Sequence, residues 1–153
     1  TSIVPNLPVK DIAAAVANAN GLTMYVCNVA GEAGETAGLS LLDHLNVIRY
    51  YAGTYSVDIV IANDNLLGGN VPETVSLIDP KQAWQDSVVR VLAYIIDAAK
   101  PTRHDPAKLA AAITQTYRQH RGKRRRLPLL WHNVQQPAHF NGSEPVGANQ
   151  QSS

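Results

Sequence analysis

The sequence predicts an α/β fold, with a parallel, doubly wound sheet between helices. Three observations carry this. Two short apolar runs, Leu22–Cys27 and Val57–Ala62, each end on polar residues. Both have the length of a buried strand, and the second is dense in β-branched side chains. Between them lies an amphipathic segment, Ser40–Ala52. Strand, helix and strand in succession describe a parallel sheet whose strands are covered on both faces.

Each element has a local cause. Val9–Ala19 carries Ile12, Val16 and Ala19 at helical spacing, and Asn20-Gly21 stops it. Ser40–Ala52 sets Leu41, Leu42, Leu45, Ile48 and Tyr51 on one side of a helix. Ser40 and Asp43 have capping-box spacing, with Asp in place of the usual Glu, and Gly53 ends the segment. Val75–Ile78 has the make-up of a short strand. Gln82–Ala99 reads as one helix, with Trp84, Val88, Val91, Leu92 and Ile95 inward. It reads equally as a short helix followed by a strand over Val88–Tyr94, and periodicity does not separate the two. Asp105-Pro106 starts a helix: Asp accepts from orphan N–H groups, and Pro at the first position needs none. That helix runs through Leu109, Ile113 and Tyr117 to about Gln119.

The length, 153 residues, suits one domain or a piece of a larger one. The opening TSIVPNLPV reads as mid-protein text, so a fragment lacking its amino-terminal part is expected. Residues 1–119 form the α/β part. Residues 120–153 are expected to be a basic, mostly disordered tail with an apolar patch at Leu127–Trp131. No apolar run approaches the roughly 18–20 residues of a membrane span, and no signal peptide is visible. Cys27 is the single cysteine, so no internal disulfide forms and a cytoplasmic setting is expected. Net charge is +1, yet Arg118, Arg121 and Lys123–Arg126 gather the cations behind a net acidic body. Such a tail suits an acidic partner or a polyanion, though a solvated basic run is the plainer reading. No nucleic-acid module accompanies it, so nucleic acid is not expected.

The stretch from Asn28 to Gly38 is the first place to look for function. Ligands of open α/β sheets bind at the carboxyl ends of strands, on loops of this kind. Its glycines permit close backbone approach, and the next helix offers free N–H groups. There is no G-x-G-x-x-G, and Glu32 and Glu35 would repel phosphate, so they suit a sugar hydroxyl, a metal or solvent better. Asn28 and Asn63 follow different strands; if those strands are neighbours, both amides face one crevice. Amides both donate and accept, which suits a base edge or a sugar, and Asp64 suits a hydroxyl or a metal, while turn formation is the plainer use of these residues. His44 follows the capping Asp43 and is either an acid or ligand group or simply packed. Arg103-His104 stands just ahead of a helix amino end, where a guanidinium can meet phosphate. The histidines are scattered, with no H-x-x-x-H or C-x-x-C pair, so no metal or cofactor is expected.

Four blocks resemble one family. TSIVPNLPVKDIAAAV, VCNVAGEAGETAGLSLLDHL, VDIVIANDN and RHDPAKLAAAI follow, in order, the pattern of the YvcK family of gluconeogenesis factors, which have a CofD-like fold. The blocks cover roughly residues 1–116. The resemblance implies the carboxy-terminal half of a three-layer α/β/α, Rossmann-like protein. Its amino-terminal half would carry a G-G-G-T-G phosphate loop that is absent here. It implies a cytosolic, bacterial binder of UDP-glucose or UDP-N-acetylglucosamine, linked to carbon metabolism, cell shape and wall synthesis. A homo-oligomer is compatible with it. The alternative is a CofD-like enzyme that transfers a phospholactyl group to a deazaflavin. Catalysis is the less favoured reading, and no catalytic residue is assigned. Carried over by position, the implied ligand contacts are Ser2, Asn6, Asn28, Glu35, Thr36, Asn63 and Arg103. The resemblance also favours a strand over Val88–Tyr94. Where the family has Thr-Gln-Pro ahead of Gly-Glu-Thr, this chain has Gly31-Glu32-Ala33, a departure that bears on sugar selectivity. The wording after Asn65 differs as well.

Overall fold

The computed structural model describes residues 4–31, 36–65 and 75–122. A short 3-10 turn, Val4–Asn6, leads into helix α1, Lys10–Ala17. Strand β1 spans Met24–Val26 and β2 spans Ala30–Gly31. Helix α2 is Leu41–Ala52, β3 is Ile59–Asn63 and β4 is Ser76–Leu77. Strand β5, Val89–Ala93, and helix α3, Pro106–His120, complete the described part. The ambiguous region therefore holds a strand: its apolar residues complete a sheet, and that tertiary pairing overrides the helical spacing.

The main sheet has the order β1-β3-β5, with both pairings parallel. Tyr25 lies opposite Val60, and Val60 opposite Arg90. All five residues of β3 are buried. Side chains alternate between the faces. Tyr25, Cys27, Val60 and Ala62 pack against Leu41, Leu45, Ile48 and Ala52 of α2. Ile59, Ile61, Val91 and Ala93 pack on the other side with Leu109 and Ala112 of α3. Helices thus cover both faces, giving the three layers the sequence predicts. Each fully buried Ile or Val here contributes roughly 1.5–3 kcal/mol relative to exposure.

The local signals act as their chemistry dictates. The Ser40 hydroxyl accepts from the Asp43 N–H, and the Asp43 carboxylate accepts from the Ser40 N–H, closing the capping box. Gly53 sits at φ 92°, a conformation other residues resist, and α2 stops there. Asp105 accepts from the N–H groups of Ala107 and Lys108 at the start of α3. Two faces differ from expectation. In α3 the sheet meets the small residues Ala112 and Thr116, leaving Ile113 and Tyr117 exposed. In α1 no residue is fully buried and Ile12 is exposed, while Val16 packs against the core. Arg118 and Arg121 are exposed. The rest of the cationic run, the expected disorder of the tail and the Leu127–Trp131 patch lie outside the described residues. Among the described residues no helix is long and apolar enough to cross a membrane.

One ion pair ties α2 to the connection before β5. Arg49 donates to both carboxylate oxygens of Asp86, at 2.6 and 2.8 Å, with both side chains mostly buried. That contact holds the Asp86 carboxyl below its ordinary range. Arg49→Ala would leave a shielded carboxylate without its cation, so a loss of about 3 kcal/mol is expected. Urea unfolding measures it; a loss within about 0.5 kcal/mol, the range of a surface change, would show the pair to be inert.

Candidate functional site

Parallel pairing puts the carboxyl ends of β1, β3 and β5 at one edge, where the three following segments leave the sheet. Asn28 follows β1 there and is half-buried. Asn63 ends β3 and is buried, 7% exposed. Strands β1 and β3 are neighbours, as a shared crevice requires. Asn63 serves the fold directly: its Oδ1 accepts from the N–H of Ile95 at 3.2 Å, and its Nδ2 donates to the carbonyl of Asn65. It fastens the exits of β3 and β5 to each other. Asp64 is exposed, and its backbone N–H reaches the carbonyl of Ala93.

The segment after β5 folds back onto the same edge. Ile96 and His104 form an antiparallel bridge, and the N–H of Asp105 donates to the carbonyl of Ile95. His104 Nε2 lies 3.1 Å from the carbonyl oxygen of Cys27, the residue just before Asn28. A carbonyl only accepts, so this ring nitrogen carries the proton. The bond brings Arg103 to the edge that holds Asn28. Arg103 is exposed and forms no ion pair with a described residue. Lys108 is committed elsewhere: its ammonium donates to the carbonyl of Ile96 and lies 3.9 Å from the centre of the Tyr94 ring.

The loop from Asn28 contains a piece of structure that the sequence reading missed. Strand β2 pairs with β4 in a short antiparallel ribbon, Ala30 opposite Leu77 and Gly31 opposite Ser76. Gly31 is required there. A Cβ at that position would lie 2.5 Å from the carbonyl oxygen of Thr36, a clash with backbone. Gly31 thus lets the loop close on itself and brings Thr36, half-buried, beside β2. Asn6 is exposed, in the turn ahead of α1. Ser2, Glu32 and Glu35 lie outside the described residues. Among the described residues no group of three or more His, Cys, Asp or Glu side chains is placed to hold a metal ion.

Beneath this edge sits a cluster of titratable groups that no spacing rule singles out. Tyr25 Oη lies 3.8 Å from Cys27 Sγ and 3.5 Å from His44 Nδ1. All three residues are buried. Burial pushes the Cys27 thiol up to about 11 and the Tyr25 phenol well above its ordinary range. His44 is therefore a packed residue, the plainer of its two sequence readings. A cavity of about 330 Å³ opens at the opposite, amino edge of the sheet, between Arg49, Tyr55, Asp58, Val89 and His120.

Burial lowers the imidazole pKa of His44 and of His104, opposed by the Asp43 carboxylate at the first and by the Cys27 carbonyl at the second. A histidine kept neutral by the fold binds fewer protons there than in the unfolded chain. Its stabilising effect is full above the unfolded value of about 6.5 and is lost as pH falls toward the folded value. The midpoint of thermal unfolding should therefore drop as pH is lowered from about 7 to 5, a window above the depressed carboxyls of Asp43 and Asp86. A flat profile across that window at constant ionic strength would remove the two histidines as the cause.

Comparison with known proteins agrees with this architecture. The family described as 2-phospho-L-lactate transferase CofD matches residues 1–116. A protein of Deinococcus radiodurans with the gluconeogenesis-factor name is 35% identical over 121 residues, covering 76% of this chain and 26% of that protein. A Nostoc protein of the same name is 33% identical, covering 76% of this chain and 28% of its own length. The gluconeogenesis factor of Halalkalibacterium halodurans is 27% identical, with 75% and 38% covered. The chain thus spans about a quarter to two fifths of the length of these relatives. No solved structure matches it at a significant level. With its parallel three-stranded sheet and a family match over residues 1–116, this chain is a member of the CofD family.

Proposed function

We propose that the chain supplies the carboxyl-edge part of a nucleotide-sugar site in a gluconeogenesis factor, and that it binds UDP-N-acetylglucosamine or UDP-glucose without transforming it. The observation that supports this reading best is the hydrogen bond from His104 to the carbonyl of Cys27. It joins the Arg103 motif to the Asn28 motif at one end of a parallel sheet, where α/β proteins take their ligands. In this reading the exposed Arg103 guanidinium meets the diphosphate, and Asn28 and Thr36 meet sugar or base. Ser2, Asn6 and Glu35 complete the contacts, and Asn63 adds the remaining polarity of its amide. Residues 1–119 form the binding part, and the basic run from Arg118 meets an acidic partner. The protein acts in the bacterial cytoplasm, as a homo-oligomer, in a role that couples carbon metabolism to cell shape and wall synthesis.

The family description names a transferase of 2-phospho-L-lactate, so a CofD-like transfer to a deazaflavin is the second reading. Product formed from a nucleotide-activated phospholactate, a deazaflavin and a divalent metal would establish it in place of the first.

Calorimetry tests the binding reading. The chain joined behind the amino-terminal part of the Deinococcus relative should bind UDP-N-acetylglucosamine. Arg103→Ala should weaken that binding by about 1.5–3 kcal/mol, the worth of a hydrogen bond to a charged group. No heat at millimolar ligand would overturn the reading. Unchanged affinity in Arg103→Ala would remove that residue from the site.

A further inference from the structure

The cavity of about 330 Å³ at the amino edge has the volume of a small-molecule site, whose lower limit is roughly 300 Å³. Leu22, Val57, Ile59 and Val88 give it an apolar lining at the starts of the strands. Its charged groups are not balanced. Asp58, half-buried on the wall, is held by its own backbone neighbours: one carboxylate oxygen accepts from the Thr23 N–H at 2.8 Å. The other oxygen is not buried, and no described residue donates to it or pairs with it. Arg49 is spent, because both terminal nitrogens go to Asp86 and the two charges cancel. Arg118 and Arg121 are exposed and do not line the cavity. The wall thus keeps a carboxylate that no described cation neutralises.

The surrounding groups have the same preference. Helix α2 ends at Ala52 and α3 at His120, and the cavity lies between His120 and the Thr54-Tyr55 pair that follows α2. Helix carboxyl ends carry partial negative charge and favour cations. His120 gives its Nδ1–H to the carbonyl of Thr116, at 3.0 Å, so the neutral ring leaves Nε2 as an acceptor. Tyr55 adds an exposed aromatic ring, whose face attracts cations. We propose that this cavity is a second binding site, for a small organic cation: a protonated amine carried on an apolar body. The ammonium, which has donors only, gives a hydrogen bond to the free oxygen of Asp58, and the apolar body covers Leu22, Val57 and Val88. The two edges of the sheet then take opposite charges, an anion where helices begin and a cation where they end. This goes beyond the nucleotide-sugar reading and does not depend on it.

The test titrates the same joined protein, ¹⁵N-labelled, with 2-phenylethylamine at constant ionic strength. Two matched probes, uncharged 2-phenylethanol and anionic phenylacetate, have the same apolar body. The amine should move the backbone amide resonances of Leu22, Asp58, Val89 and His120. The alcohol should bind about ten-fold more weakly, for want of a charge-assisted hydrogen bond, and the acid should leave these resonances in place. Asp58→Asn keeps an acceptor for the Thr23 N–H but removes the charge. It should weaken the amine about ten-fold and leave the alcohol unchanged. The comparison of the three probes on the wild type needs no variant to fold. Resonances of the cavity unmoved by the amine overturn the inference. So does an alcohol or acid that binds as well as the amine, or an unchanged amine affinity in Asp58→Asn.

Discussion

The structure depends on β3 being buried on every side. Ile59, Val60, Ile61, Ala62 and Asn63 have neither an open face nor an open edge. A strand of that kind cannot exist without helices above and below it, because each exposed Ile or Val would forfeit roughly 1.5–3 kcal/mol. Helix α2 meets one face and α3 the other. Helix α2 in turn sets β1 and β3 parallel, since a strand that is followed by a covering helix returns parallel, and β5 pairs parallel on the other side of β3. Parallel strands end at the same edge. The candidate site is a geometric consequence of burying five residues.

Burying strand ends leaves polar backbone groups that the sheet cannot satisfy, and the motif residues satisfy them. The carbonyl of Cys27 receives His104, and the N–H of Ile95 reaches Asn63. Lys108 donates to the carbonyl of Ile96, and Asp105 caps α3 while its own N–H meets Ile95. An unpaired buried group costs roughly 1–3 kcal/mol, so these residues are held in place by stability before any ligand arrives. Motif membership and ligand contact are therefore different properties. His104 is bonded to the protein and Asn63 spends part of its amide there, whereas Arg103 extends outward from the same segment as His104.

Those signals that are local were legible in the sequence. Ser40 with Asp43, Gly53 and Asp105-Pro106 each act through neighbours within four residues, and each does in the structure what its chemistry implies. The apolar runs located β1 and β3 because strands buried on both faces leave no alternation to misread. Long-range contacts were not legible. Whether Val89–Ala93 is strand or helix depends on Ile59–Asn63 lying beside it, some thirty residues away in the chain. The inward face of α3 is Leu109, Ala112 and Thr116, the last two small enough to let the helix approach the sheet, whereas spacing alone continues from Leu109 to the larger Ile113 and Tyr117. Strand β4 lies where Val75–Ile78 reads as a short strand, but its two-residue partner β2 is too short to announce itself. At the site, the position of Arg103 followed from its motif, but the bond that puts it there joins residues 27 and 104. The Tyr25, Cys27 and His44 cluster follows from an i, i+2 strand spacing that meets a helix turn, a meeting that exists only once α2 is laid on β1.

The amino edge of the sheet differs from the carboxyl edge in its chemistry. It holds a cavity of about 330 Å³ with a cation, a carboxylate, a phenol and an imidazole on its walls. By inventory it looks the better site. Its cation is already engaged, however, since both terminal nitrogens of Arg49 are bonded to Asp86. Nor does it have helix amino ends turned toward it, because in a parallel sheet the helices that follow strands begin at the carboxyl edge. There, Asp43 and Asp105 cap the starts of α2 and α3, while Arg103 has no described carboxylate to neutralise it. A diphosphate needs uncompensated positive potential more than it needs a preformed hollow. On that criterion the carboxyl edge, with its exposed guanidinium, suits the proposed nucleotide-sugar ligand better than the amino edge.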